Sequence, residues 1–217
     1  MTPDAEPPPA RRTLNKGRME GFSDGVFGFA ITLLVLDIAV HPPGSPLHQL
    51  VQAWPSYVAY LISFLTIGGA WLGHMAMTDR LTQVDSLLLR LNLILLLGVA
   101  FLPFPTQLMA DSLREPANER VYVTLYGLTL LAIRLIAFGL NVYARRQHLY
   151  SPQGAGEELR TDQREFLPII VGYVIAILIG LALPRLAVAL YFALALWLVV
   201  PFWEVVRLLS RGHRSRR

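Results

Sequence analysis

The chain has 217 residues, of which 54% are hydrophobic and only 16% are charged. Soluble domains carry about 25% charged residues, so this composition excludes an ordinary soluble domain and indicates a protein with several membrane spans. The absence of cysteine excludes disulfides and thiolate metal sites, and the net charge of +4 matters less than where the basic residues fall.

The N-terminal segment, residues 1–17, is rich in proline and charged residues and contains no apolar stretch. Such a composition cannot bury enough surface to fold, so we predict a disordered cytoplasmic tail. The first apolar stretch, Phe22–Val40, is longer than a signal-peptide core and is not followed by a small-residue cleavage site. We therefore predict that it is retained as a membrane helix.

Six stretches are approximately long and apolar enough to cross a bilayer, since a spanning helix needs about 20 mostly apolar residues. Their predicted bounds are Phe22–Val40, Trp54–Met77, Leu87–Met109, Val121–Tyr143, Glu165–Leu183 and Leu186–Leu209. The last two are separated only by Pro184 and Arg185, so they must form a tight helical hairpin. The predicted fold is an all-α membrane protein with six transmembrane helices in each subunit.

Basic residues predict the orientation, because Lys and Arg concentrate in cytoplasmic loops. Fifteen of them fall on one side of the predicted spans, and only Arg114, Arg120 and Arg185 fall on the other. We therefore predict cytoplasmic termini around a membrane domain at residues 18–209. The basic tail at residues 210–217 is interpreted as a topology anchor attracted to anionic lipid, and not as a nucleic-acid site.

Two polar residues stand at the entry of the first stretch. Ser23 and Asp24 either cap the helix by accepting from its free N–H groups, or form a polar bracket that holds the helix against its neighbours. Position alone favours the cap. An ionised carboxylate near hydrocarbon needs a partner, and Arg18 or a residue on a neighbouring helix is expected to supply it for Asp24.

A stripe of four residues follows in the same stretch: Phe29, Thr32, Leu33 and Leu36. Their spacing places them on one helical face, which is apolar apart from one hydroxyl. Spacing alone favours ordinary helix packing, with Thr32 bonding back to the carbonyl of Gly28, over a pore lining. Asp37 lies near the end of this stripe and is typical of an interfacial residue.

The second and third stretches carry polar groups that are expected to face protein. Trp71 and His74 share a helical face, and His74 lies level with Asp24, which makes these two a candidate pair. A lone histidine is usually structural, and no HxxxH or HExxH spacing indicates a metal. Asn92 is expected to cross-link helices.

Helix breakers and glycines subdivide these stretches further. Pro103 and Pro105 are expected to break the third stretch, which leaves carbonyls that need partners. Small residues allow helices to approach closely; those of the second stretch are Gly68, Gly69 and Gly73.

No enzyme emerges from the motifs. Arg134 lies in the middle of the fourth stretch and is interpreted as structural. The sequence contains no GxSxG, no nucleotide-binding loop and no carboxylates paired for acid–base work. We therefore predict a protein that is not an enzyme and binds no cofactor.

At this point the residues resemble a known family, the transmembrane protein 175 family of lysosomal potassium channels and their prokaryotic relatives. The resemblance covers Arg18 to Thr106, and the second half of the chain agrees with the family only in length and hydropathy. The matching motifs are Arg18-x-x-x-Phe22-Ser23-Asp24, Trp71-x-x-His74, Asp85 with Asn92, and Pro103-Phe-Pro-Thr106.

The resemblance implies a homotetramer in which the first helix of each subunit lines a central pore without a TVGYG filter. It assigns the pore and gate to Phe29, Leu33 and Leu36, and potassium preference to Thr32. Phe29 departs from the family, which usually has Ile or Leu there. The resemblance also implies a signature network, which comprises Arg18, Phe22, Ser23, Asp24, Trp71 and His74.

The predicted function is a potassium-permeable channel with a hydrophobic neck and with Asp37 gathering cations at its outer mouth. Its expected partners are potassium ions in transit, membrane lipid and its own copies, and its expected location is the bacterial plasma membrane. One alternative is a proton-coupled transporter that uses Asp24, His74 and Arg134. The sequence lacks the inverted repeat or paired broken helices typical of such transporters, which argues against this alternative. The other alternative is a membrane scaffold without transport.

Overall fold

The computed structural model describes residues 15–38, 45–114, 118–151 and 158–200, without the side chains of 37 and 158–165. These parts of the chain fold into helices joined by short turns. The α-helices are α1 (Lys16–Leu33), α2 (Pro46–Gln52), α3 (Trp54–Asp79), α4 (Ser86–Phe101), α5 (Pro103–Arg114), α6 (Glu119–Arg146), α7 (Glu158–Gly180) and α8 (Pro184–Val199). A 3-10 helix, Leu34–Asp37, continues α1.

Four helical segments in the described ranges are long and apolar enough to cross a membrane. They are Lys16–Leu36, Trp54–Asp79, Ser86–Arg114 and Glu119–Arg146. The helical segments Phe166–Gly180 and Pro184–Val199 are apolar but shorter. The prediction of an all-α membrane protein is confirmed, whereas the count of six spans stays a prediction. The part of the sixth stretch beyond residue 200, residues 1–14 of the predicted N-terminal tail, the predicted C-terminal tail and Val40 lie outside the described residues. Residues 15–17 of the N-terminal tail are described and form the cap and the start of α1.

Helix α1 begins six residues before the predicted stretch. The side chain of Asn15 accepts a hydrogen bond from the backbone N–H of Arg18 and so caps the helix. Ser23 and Asp24 therefore lie inside α1, and the interpretation of these two residues as its cap is wrong. A cap must precede the first turn, and Asn15 already occupies that position.

The predicted break in the third stretch is confirmed at Leu102, where α4 ends and α5 begins with Pro103. Proline has no N–H, so Pro103 leaves the carbonyl of Val99 without its usual helical donor. The backbone N–H of Leu102 donates to that carbonyl at 3.2 Å and satisfies it. The segment Ser86–Arg114 therefore continues as one membrane-length unit through the break.

Glycines on α3 and α7 allow these two helices to pack closely against α8. A Cβ placed on Gly69 of α3 would lie 2.6 Å from Leu198, and one on Gly172 of α7 would lie 2.7 Å from Leu194. The expectation of close packing therefore holds for Gly69. Beside Gly68 and Gly73 a Cβ would meet none of the described residues of the subunit, so close packing at these two glycines stays a prediction. The predicted hairpin of α7 and α8 is confirmed, since α8 starts at Pro184, four residues after α7 ends.

Helix packing gives the subunit two distinct ends. Helix α1 packs against α3 and α4, while α6 packs against α4, α5, α7 and α8. The proximal end is where α1 and α4 begin and α3 ends. The distal end is where α3, α6 and α8 begin and α5 ends. Large buried side chains fill the space between the helices, among them Phe27, Ile62, Leu88, Tyr126 and Tyr173.

Candidate pore helix and its anchoring network

A buried chain of hydrogen bonds joins α1, α3 and α4 near the proximal end. Asn92 on α4 contacts His74 Nε2 with its Oδ1 at 2.8 Å, and its Nδ2 donates to Ser23 Oγ at 2.9 Å. Ser23 Oγ in turn donates to the carbonyl of Met19 at 2.8 Å. The prediction that Asn92 cross-links helices is confirmed, and it connects three helices at once.

The direction of each hydrogen bond in this chain follows from its chemistry. An amide oxygen only accepts, so His74 Nε2 carries the proton and donates to Asn92. The hydroxyl proton of Ser23 is used on the Met19 carbonyl, so Ser23 accepts from Asn92. Ser23, His74 and Asn92 are all buried. Since each of them is paired, removing one would leave its neighbours unsatisfied in an apolar surrounding.

A second connection ties α1 to α3. Trp71 Nε1 donates to Asp24 Oδ1 at 2.8 Å. The expectation that a residue on a neighbouring helix partners Asp24 is thereby confirmed, although the residue is Trp71 and neither Arg18 nor the candidate His74. Trp71 lies about one turn before His74 on the same face of α3. Trp71 bonds α1 directly at Asp24, whereas His74 is linked through Asn92 to Ser23, the preceding residue of α1.

Only part of the signature set comes together. Ser23, Asp24, Trp71 and His74 form the contacts above, whereas Arg18 and Phe22 lie on the exposed side of α1. The described proximal end also contains a basic residue that the motif does not include. Lys16 Nζ lies 3.4 Å from Glu20 Oε1 and donates to the carbonyl of Asp79 at 3.2 Å, which ties the start of α1 to the end of α3.

The stripe of Phe29, Thr32, Leu33 and Leu36 is exposed on the described part of the subunit. The side chains of Phe29, Leu33 and Leu36 are 70%, 37% and 76% exposed. The opposite side of the same helix is buried through Phe27, Ala30 and Leu34. Packing inside one subunit, which spacing alone favours, is therefore the wrong interpretation of this stripe. An apolar row of this kind needs lipid or another copy of the chain as its surrounding.

The hydroxyl of Thr32 is oriented by the helix that carries it. Thr32 Oγ1 donates to the carbonyl of Phe29 at 2.8 Å, and not to that of Gly28 as expected. Its proton is thereby used, so the oxygen lone pairs remain to accept on the exposed side. Asp37 ends the 3-10 turn, and its side chain lies outside the described part.

A further polar cluster, away from α1, was not predicted from the sequence. Tyr126 OH and Thr106 Oγ1 each lie 2.8 Å from Ser63 Oγ, and Thr106 also donates to the carbonyl of Leu102. Because the Thr106 proton is committed, Ser63 donates to Thr106 and Tyr126 donates to Ser63. The cluster joins α3, α5 and α6 beside the proline break. Thr106, at the end of the PFPT motif, is the one signal that pointed to it.

Arg134 faces protein, as its structural interpretation requires. Its side chain on α6 is buried and lies against the hydroxyl of Tyr173 on α7. Arg134 therefore packs between α6 and α7, whereas Asp24 and His74 pair with residues of α3 and α4. The three residues of the transporter hypothesis do not share a hydrogen bond in the described structure.

Comparisons with known proteins identify relatives that match most of this chain. A family model described as the endosomal/lysosomal potassium channel TMEM175 matches residues 18–103. A potassium channel of Streptomyces collinus is 38% identical over 185 residues, which cover 83% of this chain and 90% of that protein. An endosomal/lysosomal proton channel TMEM175 of Gallus gallus is 37% identical over 117 residues, covering 49% of this chain and 23% of that one.

A solved structure agrees with the fold as well. The crystal structure of a lysosomal potassium-selective channel TMEM175 homologue from Chamaesiphon minutus superposes with a TM-score of 0.73 at 32% identity. The superposition covers 84% of this chain and 95% of that one. Both the sequence identity and the shared coverage extend well beyond the first three helices. The chain therefore belongs to the TMEM175 family.

Proposed function

We propose that this chain is one subunit of a homotetrameric, potassium-permeable channel whose pore is lined by α1. The observation that carries the proposal is the outward-facing stripe of Phe29, Thr32, Leu33 and Leu36 on a helix whose other side is packed. Four such helices meeting on one axis would bury the stripe around an ion path. Relatives that this chain covers over most of their length are named potassium channels.

Each residue of the stripe would have a defined role in this pore. Phe29, Leu33 and Leu36 form apolar rings, and narrow apolar rings resist wetting and so act as a gate. Four Thr32 oxygens, with their protons turned to the Phe29 carbonyls, would replace part of a potassium ion's water shell. Asp37 would concentrate cations at the outer mouth, within a screening length of about 8 Å at physiological salt.

The anchoring network would keep α1 in register with its own subunit. Its hydrogen bonds attach the proximal half of α1, at Ser23 and Asp24, to α3 and α4. The stripe begins little more than one turn further along. A rotation of α1 would break these bonds before it could turn Thr32 away from the axis. The proposed setting is the bacterial plasma membrane, with six membrane helices per subunit and both termini in the cytoplasm.

The absence of cysteine makes a direct test of this geometry possible. Leu36→Cys is expected to give cross-linked dimers with a short bifunctional maleimide in membranes, because the proposed axis brings copies of this position together. Ile175→Cys, on an exposed side of α7, is the matched control and is expected to stay monomeric on a denaturing gel. Cross-links at Ile175 but not at Leu36, or a native mass other than four subunits, would contradict the proposal.

Thr32→Val tests the selectivity role with little change in shape. We expect the ratio of potassium to sodium permeability, measured from reversal potentials in planar bilayers, to fall at least roughly threefold, or about 0.7 kcal/mol. Valine removes the oxygen that can accept a cation but keeps the side-chain volume. Thr32→Ser retains the hydroxyl and is expected to keep the ratio near that of the original protein. An unchanged ratio in the valine variant would remove Thr32 from the mechanism.

Proton permeation is a second candidate, favoured by the name of the Gallus gallus relative as a proton channel. The same pore would serve, and the two candidates differ in the ion that carries current. Proteoliposomes loaded with a pH-sensitive dye separate them. A proton flux that persists without potassium and is abolished by the Leu36→Cys cross-link would favour this second candidate.

A further inference from the structure

An apolar groove opens on the outer surface of the subunit at its distal end. It has a volume of about 280 Å³ and lies between α3, α5 and α8. Its apolar walls are formed by Val58, Leu61, Leu113, Val188 and Phe192. Two other lining residues, Trp54 and Arg185, stand at its rim, where α3 and α8 begin.

The length of the groove along the helices is less than the thickness of one membrane leaflet. Its walls extend from Trp54 to Leu61 on α3 and from Arg185 to Phe192 on α8, which is eight residues and seven helical steps on each helix. At 1.5 Å per helical residue this is about 10 Å, which lies within one half of a hydrocarbon core about 30 Å thick. Tryptophan is enriched at the level of the headgroups, so Trp54 indicates that the rim lies at the membrane surface.

Arg185 brings a positive charge to this rim. Its Nε donates to Glu119 Oε1 at 3.3 Å, while the side chain as a whole remains 71% exposed. The guanidinium has five N–H donors, and its planar fork matches a phosphate group. The hydrogen bond to Glu119 uses only Nε, and the side chain remains largely exposed at the rim of the groove.

We propose that this groove binds one acyl chain of an anionic phospholipid, with the phosphate held by Arg185. The volume is roughly twice that of a 150 Å³ apolar cavity that takes up benzene, so it holds a segment of chain and not a whole lipid. A groove on the surface of membrane helices meets lipid directly, and Arg185, the cation among the described lining residues, has N–H donors beyond the one bonded to Glu119 that can bind an anionic headgroup. The proposal rests on the helices spanning a membrane and is independent of what the pore conducts.

Native mass spectrometry of the delipidated, purified full-length protein tests this site. The probes are dioleoylphosphatidylglycerol and dioleoylphosphatidylcholine, titrated separately. Ala189 lines the groove and is exposed, so Ala189→Phe is expected to fill it and weaken the tightest site for both lipids about tenfold. Ile175→Phe adds bulk to an exposed position of α7 outside the groove, and binding is expected to stay unchanged.

Arg185→Gln separates the headgroup from the acyl chain. The variant is expected to bind phosphatidylglycerol about tenfold more weakly, because a charge-assisted contact is lost. It is also expected to lose the preference of the protein for phosphatidylglycerol over phosphatidylcholine. Because Arg185 is exposed, this variant remains informative if Ala189→Phe fails to fold. Arg120→Gln removes another exposed cation of the distal end that does not line the groove, and it is expected to leave the preference intact.

Three outcomes would overturn the proposal. Lipid binding by Ala189→Phe equal to that of the original protein would show that the groove is not the site. Equal losses in Arg185→Gln and Arg120→Gln would show attraction to surface charge alone. A change in oligomer mass in Ala189→Phe, with lipid binding retained, would assign the groove to contact between copies. None of these outcomes affects the cross-linking test of α1.

Discussion

Phe29→Ala is expected to raise the potassium leak of the reconstituted protein at least about tenfold, which corresponds to about 1.4 kcal/mol removed from the barrier. Phe29 is 70% exposed on the isolated subunit and begins the stripe on α1. If four copies surround one axis, their four Phe29 rings would be the bulkiest side chains of the stripe and would form an apolar constriction on the ion path. Alanine would open this neck and let water enter it.

The measurement is potassium flux from proteoliposomes, followed with a potassium-sensitive dye at equal protein content. Phe64→Ala is the matched control, because it removes the same ring from an exposed position of α3. We expect the control to conduct like the original protein. Equal flux in the original protein and in Phe29→Ala would show that the neck lies elsewhere. A rise in both variants would indicate general leakiness of the bundle.

Asn92→Leu is expected to lower the free energy of unfolding by about 2–4 kcal/mol, since each buried polar group left unpaired costs about 1–3 kcal/mol. The side chain contacts His74 Nε2 at 2.8 Å and donates to Ser23 at 2.9 Å, so the substitution removes the acceptor of the His74 N–H on α3 and the donor to Ser23 Oγ on α1. Leucine has a similar volume, so the loss reports mainly on hydrogen bonding. For a chain of this length the melting temperature should fall by roughly 4–16 °C.

Thermal unfolding of the purified protein in detergent, followed by circular dichroism, measures this change. Gln107→Leu is the control, because it removes an amide from an exposed position of α5. It is expected to shift the melting temperature by no more than about 2 °C. If both variants melt alike, Asn92 does not anchor α1. The proposed channel predicts in addition that Asn92→Leu lowers the yield of cross-linking at Leu36→Cys, because α1 loses its fixed register.

Much of the fold could be predicted from the sequence, because its signals are local. Long apolar stretches predict membrane helices wherever they occur. The break at Pro103 and the tight α7–α8 hairpin at Pro184 follow from proline's missing N–H and fixed backbone angle. The sharing of one face by Trp71 and His74 follows from helical periodicity alone. Motif residues near these positions were sufficient to point to the family.

The hydrogen-bond partners of polar residues were harder to predict from the sequence, because they depend on how the helices are rotated against each other. Sequence spacing placed His74 level with Asp24, but hydrogen bonds require about 2.7–3.2 Å and an aligned donor. Trp71 and His74 are about one turn apart on α3, and this separation is enough for Trp71 to bond Asp24 while His74 bonds Asn92. The start of α1 at Lys16 could not be predicted from hydropathy, because the first turn of the helix is polar.

What the sequence determined by itself was therefore the identity and approximate bounds of the membrane helices and the face that the stripe occupies, because periodicity and hydropathy act within one helix. Whether that face looks inward or outward was decided only by the tertiary structure. The buried side of α1 is chosen by Phe27, Ala30 and Leu34 fitting against α3 and α4. The apolar groove is likewise a property of three helices, α3, α5 and α8, whose separation no single stretch encodes.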